Sequence, residues 1–264
     1  MRKRLLCPIL PQPSQRVLLP EVEANHAQRV LRLRSGDEVE ALDGRGHRIL
    51  GRLRMSDLGV QLEYVDALPT QSTLEGGAEV VPVDLEMAIL KGESMEWVVE
   101  KATELGIRRL VPVVADHTVI QIKSKGPAFF RERWQKIADQ ALKQCGRVDG
   151  LRVEAPTTLE ALLENRSSVP QIVRLWCDEE NAQRSSLGLA QWVAGDSFKL
   201  IKEVKILIGP EGGWSQAERT RLNTLAAQVE GNVLSVSLGP LVLRAETAAL
   251  VSMSLISAFM RAGR

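Results

Sequence analysis

Residues 205–213 read Lys-Ile-Leu-Ile-Gly-Pro-Glu-Gly-Gly, and residues 238–248 read Leu-Gly-Pro-Leu-Val-Leu-Arg-Ala-Glu-Thr-Ala. In both stretches an apolar strand ends at a glycine, and a helix is expected to follow. The first strand, Val204 to Ile208, is mostly apolar and β-branched, which is typical of a buried parallel strand. Two loops of this kind, following consecutive strands, predict one composite pocket at the edge of a sheet.

The first loop has the composition of a ligand-binding turn. Gly209, Gly212 and Gly213 permit positive φ and a close approach of the backbone to a ligand. Ser215 followed by Glu218 fits a capping box, which predicts a helix start. Open α/β sheets bind nucleotides at such strand-to-helix loops, but the loop matches neither the P-loop nor the dinucleotide fingerprint. Taken alone, it is equally compatible with an ordinary turn.

Length and composition indicate a water-soluble chain of one large or two modest domains. It has 264 residues, of which 44% are hydrophobic and 25% are charged, both ordinary values. The apolar run Thr247–Met260 is too short to span a membrane. No signal peptide is evident, and Cys7, Cys145 and Cys177 show neither a disulfide framework nor a zinc spacing. We therefore expect a cytoplasmic protein with free thiols and no metal.

Residues 1–72 are predicted to form a small β-rich domain. Strands are expected at Glu38–Leu42, His47–Leu53 and Val60–Val65, with one helix at Glu21–Leu31. Residues 1–54 hold eleven basic and six acidic residues, which predicts a polyanion contact or, equally, a solvated arginine-rich surface. Pro69–Gly77, rich in Ser, Thr and Gly, is predicted to be the linker.

Residues 78–264 alternate between strand and helix patterns, which predicts an α/β domain with a mostly parallel sheet covered by helices. A polar stretch is expected from Cys177 to about Lys202. The predicted elements are strands at Val83–Leu90, Arg109–Val114, Leu151–Val153, Ile172–Cys177, Val204–Ile208 and Val233–Leu238, and helices at Glu93–Leu105, Phe130–Cys145, Leu159–Leu163, after Ser215 and from Glu246 to about Met260.

The paired motifs of residues 205–213 and 238–248 resemble those of the small-subunit ribosomal RNA uridine-N3 methyltransferase family, in the SPOUT superfamily of knotted RNA methyltransferases. The resemblance covers nearly the whole chain. Supporting matches are His26-x-x-Arg29-Val30-Leu31-Arg32, Lys91-Gly92-Glu93-x-Met95-Glu96, Lys101-x-Thr103-Glu104-Leu105-Gly106 and Gln144-Cys145-Gly146-Arg147. Two residues depart from the family pattern. Trp214 stands where smaller or aliphatic residues are frequent, and Leu241 stands where a charged residue is common.

This resemblance implies a SPOUT-type knotted C-terminal domain and a PUA-like RNA-binding barrel at residues 1–72. It implies a homodimer that transfers a methyl group from S-adenosyl-L-methionine (SAM) to N3 of a uridine in small-subunit (16S) rRNA, free or within the small ribosomal subunit. The implied cofactor-binding residues are Leu207, Gly209, Glu211, Gly212, Gly213, Leu238, Gly239, Leu243 and Thr247.

The same resemblance implies catalytic roles for Glu211, Arg244 and Glu246. Arg244 is expected to stabilise the uracil anion or a phosphate, and Glu246 to orient Arg244, to contact the substrate or to complement the helix dipole. The expected RNA-binding residues are Arg2, Arg4, His26, Arg29, Arg32, Lys91 and Arg147. Two alternatives remain at this stage: a SPOUT-type methyltransferase acting on another RNA such as tRNA, and a non-catalytic RNA-binding protein of ribosome assembly.

Overall fold

In a computed structural model of the protein, residues 2–69, 81–119, 122–164, 169, 171–178, 187–228 and 232–261 are described. They form two compact units. The first contains the residues up to Pro69 together with Asp139–Gly150, and the second contains the rest. Apart from Pro69, the predicted linker lies outside the described residues. The first unit thus includes a stretch that the sequence boundaries at residues 72 and 78 assign to the second.

The first unit is built on a five-stranded mixed sheet with the order β1-β3-β4-β5-β2. The pair β1–β3 is parallel and the other pairs are antiparallel. The three strands predicted from the sequence are confirmed, whereas the short strands β1 and β2 were not predicted. The strands are β1 (Arg4–Leu6), β2 (Arg16–Leu18), β3 (Glu38–Leu42), β4 (Arg48–Ser56) and β5 (Gly59–Ala67).

The predicted N-terminal helix is present, but only its first half is α-helical. Helix α1 (Glu21–Asn25) continues into a π-helical turn at His26–Val30, in which the Leu31 N–H donates to the His26 carbonyl at 3.0 Å. Arg32 follows with φ +54°, outside the helix. The three residues His26, Arg29 and Arg32 are spaced in the sequence as on one helical face, but Arg32 does not share it, because the helix has ended at Val30.

The last residues of the helix Pro127–Cys145 belong to the first unit, where specific bonds hold them. The Arg4 guanidinium donates to the carbonyl oxygens of Lys143 and Gln144, each at 3.1 Å. The Lys143 ammonium forms an ion pair with Glu23 at 2.5 Å. Contacts between residues so far apart in the chain leave no periodic pattern in the sequence. The sequence therefore did not predict them.

The second unit contains a sheet of seven parallel strands among its described residues. The order is β12-β10-β11-β6-β7-β8, and β9 pairs with β7. Strand β10 therefore lies between β11 and β12, the two strands that precede the glycine loops. The strands are β6 (Val83–Ala88), β7 (Arg109–Val114), β8 (Arg152–Val153), β9 (Thr157–Thr158), β10 (Ile172–Cys177), β11 (Glu203–Ile208) and β12 (Val233–Val236).

The predicted alternation of strands and helices is confirmed in this unit. The expected polar stretch before Lys202 is wrong in part, since it holds helix α6 and a 3₁₀ helix (Asp196–Leu200) that bury Trp192 and Phe198. The helices are α2 (Gly92–Glu104), α3 (Ile122–Lys125), α4 (Pro127–Cys145), α5 (Leu159–Glu164), α6 (Leu189–Ala194), α7 (Gln216–Ala226) and α8 (Ala245–Arg261).

Apolar side chains are buried on both faces of the parallel sheet. On β11, Ile206 belongs to a cluster with Val98 and Met253, whereas Leu207 belongs to another with Trp176 and Leu222. Helices α2 and α8 thus cover one face and α7 covers the other, which is the layering expected for an α/β fold. No helix among the described residues combines the length and apolar character needed to cross a membrane.

Candidate functional site

A cavity of about 530 Å³ lies at the carboxyl ends of the neighbouring strands β10, β11 and β12. Because these strands are parallel, their ends meet at one edge of the sheet. The volume is in the range of sites for small molecules. The cavity is lined by Ser94, Cys177, Asp178, Ile208, Gly209, Pro210, Glu211, Gly213, Leu238, Gly239, Leu241, Val242, Leu243, Arg244, Ala245, Glu246 and Ala248.

The first glycine loop, residues 209–213, follows β11 and forms one wall. The Gly213 N–H donates to the Pro210 carbonyl at 2.9 Å, and Gly213 adopts φ +70°. A Cβ atom at Gly209 would lie 2.9 Å from Nε1 of Trp214, too close for any other residue. Trp214 is itself buried in the core. This departure from the family pattern therefore packs beneath the loop.

Glu211 connects this loop to the start of α2. Its carboxylate accepts a hydrogen bond of 3.1 Å from the N–H of Lys91, the residue that precedes the helix. A carboxylate is stabilised at this end of a helix by the unpaired N–H groups and the helix dipole. Ser94, in the first turn of α2, also lines the cavity. Glu211 therefore fixes one side of the cavity.

The second glycine loop, residues 238–244, follows β12 and forms the opposite wall. Gly239 has φ +128°, and its N–H donates to Oγ of Ser237 at 3.1 Å. Leu241 and Val242 are 74% and 70% exposed although both line the cavity. Arg244 is exposed beside them, with no ion pair to another described residue. The wall thus combines apolar surface with one cation.

The third wall is formed by Cys177 and Asp178, at the end of β10. The Asp178 carboxylate pairs with Arg219 of α7 at 2.5 Å, and both side chains are buried. The Arg219 guanidinium lies 5.9 Å from the centre of the Trp176 ring. Burial raises the pKa of the Cys177 thiol to about 12, which keeps it neutral at physiological pH. The sequence did not predict these two residues, since chain order does not reveal that β10 separates β11 from β12.

Most of the predicted cofactor and catalytic residues meet at this cavity. Three predicted residues do not line it. Leu207 points into the core, Gly212 faces His117 rather than the cavity, and Thr247 is exposed on α8. Those that do line it are Gly209, Glu211, Gly213, Leu238, Gly239, Leu243, Arg244 and Glu246.

The predicted RNA-binding arginines and lysine fall into two groups. Arg2, Arg29, Arg32 and Lys91 are exposed, the first three in the first unit. The side chains of Arg4 and Arg147 are engaged internally, with ion pairs to Glu40 at 3.2 Å and to Asp149 at 3.0 Å, and are 16% and 15% exposed.

His26 differs from the arginines, because it is half-buried. Burial and the nearby charge of Lys143 lower its pKa, against the opposing effect of Glu23. The imidazole is therefore mainly uncharged at neutral pH. Any contact that it makes with RNA would be a hydrogen bond or a packing contact, without a cationic charge.

A cleft lined by the backbone of two glycine loops, at the carboxyl edge of a parallel sheet, places the protein among the α/β proteins that bind nucleotide-like small molecules. Residues 78–257 match the family model of the RNA methyltransferase domain, and residues 19–62 match that of the RNA methyltransferase PUA domain. The chain therefore belongs to this RNA methyltransferase family.

Individual relatives agree with this family. The chain is 29% identical to ribosomal RNA small subunit methyltransferase E of Bacillus subtilis over 235 residues, which cover 89% of this chain and 87% of the relative. A Legionella pneumophila protein described as a methyltransferase, solved with the cofactor SAM, matches with a TM-score of 0.81 and 26% identity over 98% of both chains.

A second solved relative supports the fold. Ribosomal RNA small subunit methyltransferase E of Neisseria gonorrhoeae, bound to S-adenosyl methionine, is 24% identical, with a TM-score of 0.77 over 96% of this chain and 95% of that one. The family and fold class expected from the motifs are confirmed. The knot itself stays a prediction from the resemblance.

Proposed function

We propose that the protein methylates N3 of a uridine in small-subunit (16S) rRNA, with SAM as the methyl donor. The observation that carries the proposal is that both glycine loops and Arg244 line the same cavity. Family membership supports the reaction class. The relatives' names support the rRNA substrate, and two solved relatives hold SAM.

The lining of the cavity offers charged, backbone and apolar groups that suit the different parts of SAM. SAM carries a sulfonium, an ammonium and a carboxylate group. The carboxylates of Glu211 and Glu246 can attract the two cations, and Asp178, whose charge is offset by Arg219, can still accept a hydrogen bond from the ammonium. Backbone amides and carbonyls of the glycine loops can bind the adenine edge, and the apolar side chains of Ile208, Leu238 and Leu243 can contact its faces. These are the residues that we propose to hold the donor.

The chain must contribute positioning and charge stabilisation. Bound SAM supplies a methyl group on a positively charged sulfur, ready to be transferred to a nucleophile. Uridine N3 becomes a good nucleophile only when it has lost its proton, so a cation beside the base lowers the barrier. We assign this role to Arg244, which is exposed at the end of the second glycine loop, and the exposed Leu241 and Val242 offer an apolar surface for the base.

The residues proposed to bind RNA are the exposed arginines of the first unit and, separately, Lys91 in the second unit. Among the described residues no ion pair neutralises Arg2, Arg29 or Arg32. Their guanidinium groups can therefore bind phosphate oxygens, which orients RNA without reading its sequence. Arg4 and Arg147 have a smaller part in this proposal, because their side chains already bind within the protein.

We further propose a cytoplasmic homodimer. The half-buried Leu250 and Leu255 and the exposed Phe259, all on α8, offer an apolar surface for a second copy. Sedimentation equilibrium tests this directly, since a single species of about 29 kDa, the mass of one chain, would exclude the dimer.

Two measurements test the function. Isothermal calorimetry with SAM should show binding to the folded protein, and its absence would favour a non-catalytic RNA-binding protein. Mass spectrometry of rRNA nucleosides from a strain lacking the gene should show loss of N3-methyluridine, with recovery on complementation. Unchanged N3-methyluridine in rRNA, with a modified base missing from tRNA, would shift the substrate to tRNA.

A further inference from the structure

A loop that does not line the cavity forms hydrogen bonds with the first glycine loop. Residues 115–118 follow β7, and Nδ1 of His117 lies 2.9 Å from the carbonyl oxygen of Gly213 and 3.1 Å from that of Gly212. Carbonyl oxygens only accept hydrogen bonds, so Nδ1 must carry the hydrogen and donate to both. His117 does not line the cavity, whereas Gly213 does.

Further bonds tie residues 115–118 to the start of α7, which follows the first glycine loop directly. The Ser215 hydroxyl donates to the Asp116 carboxylate at 2.6 Å, and the Asp116 N–H donates to the Glu218 carboxylate at 3.0 Å. A Cβ atom at Gly212 would lie 3.2 Å from Cβ of His117. The second glycine of the pair thus allows the histidine to approach, while Gly213 supplies the positive φ.

Glycine loops have many accessible backbone conformations, and a ligand bound through backbone atoms needs one of them. We propose that His117 is a positioning residue, which holds the Gly212 and Gly213 peptides in the orientation that binds the methyl donor. It acts through the loop and does not touch the ligand. This inference rests on the proposed function for the identity of the ligand, SAM.

The role requires a hydrogen on one particular ring nitrogen, which makes it testable with isosteric amides. In His117→Asn the side-chain NH₂ takes nearly the position of Nδ1, whereas in His117→Gln it takes nearly that of Nε2. We expect SAM affinity close to wild type for H117N. For H117Q and H117A we expect a loss of roughly two- to tenfold, the range for one hydrogen bond that selects the competent loop.

Calorimetry with SAM on the full-length proteins measures these affinities, and thermal melts check that each variant is folded. His47→Gln, the same substitution in the first unit, is the matched control and should bind like wild type. At saturating SAM, H117Q should recover most of its turnover, because the bond affects the loop population rather than the chemistry.

The outcomes are separable. Equal affinity of H117N and H117Q, whether both keep wild-type binding or both lose it, would overturn the positioning role. If the wild-type protein binds no SAM, the proposed function itself fails, and the comparison of variants does not arise.

Discussion

Arg244 is the residue on which the proposed chemistry depends most. It is exposed at the cavity wall, and no described carboxylate pairs with it, so its charge is available to a substrate anion. We expect Arg244→Ala to lower turnover by about a hundredfold, the usual scale for losing one group that stabilises a developing anion. SAM affinity should change by less than about threefold, since backbone groups and other side chains of the cavity are proposed to hold the donor.

Single-turnover methylation and calorimetry measure the two quantities separately. Arg244→Lys is the matched variant, because it keeps the charge without the planar fork, and it should fall between wild type and R244A. Equal losses of turnover and SAM affinity in R244A would place Arg244 in the cofactor site instead.

Asp178 lines the cavity although the sequence did not predict it as a site residue. Its buried pair with Arg219 has a counterpart in the buried pair of Arg174 with Glu86, at 2.5 Å, which does not border the cavity. Asp178→Asn and Glu86→Gln should each lower the free energy of unfolding by about 3 kcal/mol, because each leaves a buried arginine without its anion.

Only D178N should also weaken SAM binding, since only Asp178 lies on the cavity wall. Chemical denaturation and calorimetry on both variants decide the point. A parallel loss of SAM affinity in E86Q would mean that general destabilisation, and not a local charge, accounts for the effect.

At the level of secondary structure, periodic and local signals predicted most elements. Strand β11 and the capping box of α7 each depend on residues close together in the sequence. In the capping box the Ser215 N–H donates to the Glu218 carboxylate at 2.8 Å, and the Glu218 N–H donates to the Ser215 hydroxyl at 3.3 Å. The sequence did not reveal β1 or β2, whose three residues are too short for a pattern. It also did not reveal α6, whose six mostly apolar residues are too few to show a helical period. It also missed the binding of Lys143 and Gln144 to the first unit, which depends on distant partners.

The same limit applies to the cavity. Both glycine loops were predicted to meet because each follows a strand in a readable pattern. The wall at Asp178 was not predicted, because it depends on the position of β10 in the sheet. The contact of His117 was not predicted either, because it comes from a turn after another strand, β7. The local sequence therefore predicts whether each segment is a strand, a helix or a loop. Which segments lie next to one another is known only from the three-dimensional structure.

The capping box makes a prediction for α7. Ser215→Ala removes both the cap on the Glu218 N–H and the bond to Asp116, and it should lower the free energy of unfolding by about 1 to 2 kcal/mol. Thr224→Ala in the same helix removes only an exposed bond to the Thr220 carbonyl and should change it by less than about 0.5 kcal/mol. Urea denaturation compares them, and a T224A loss as large as that of S215A would contradict the capping assignment.

For the whole molecule, the distribution of charge matters more than its sum. The net charge is only +1, yet the first unit holds exposed arginines of two kinds. Arg16 and Arg52 pair with Glu63 and Glu38, at 2.9 and 2.8 Å, whereas Arg29 and Arg32 have no such partner among the described residues. If the latter bind phosphates, each releases counterions from RNA when it does so.

We therefore compare two double variants that remove the same charge, Arg29→Gln with Arg32→Gln, and Arg16→Gln with Arg52→Gln. The first should weaken rRNA binding and reduce the slope of log affinity against log salt by about 1 to 2, as expected for two lost phosphate contacts. The second should leave the slope nearly unchanged, because those guanidinium groups are already neutralised by carboxylates. Fluorescence titrations over a range of salt concentrations measure both slopes. Equal slopes in the two variants would show that the RNA responds only to overall charge, and the surface at Arg29 and Arg32 would lose its assigned role.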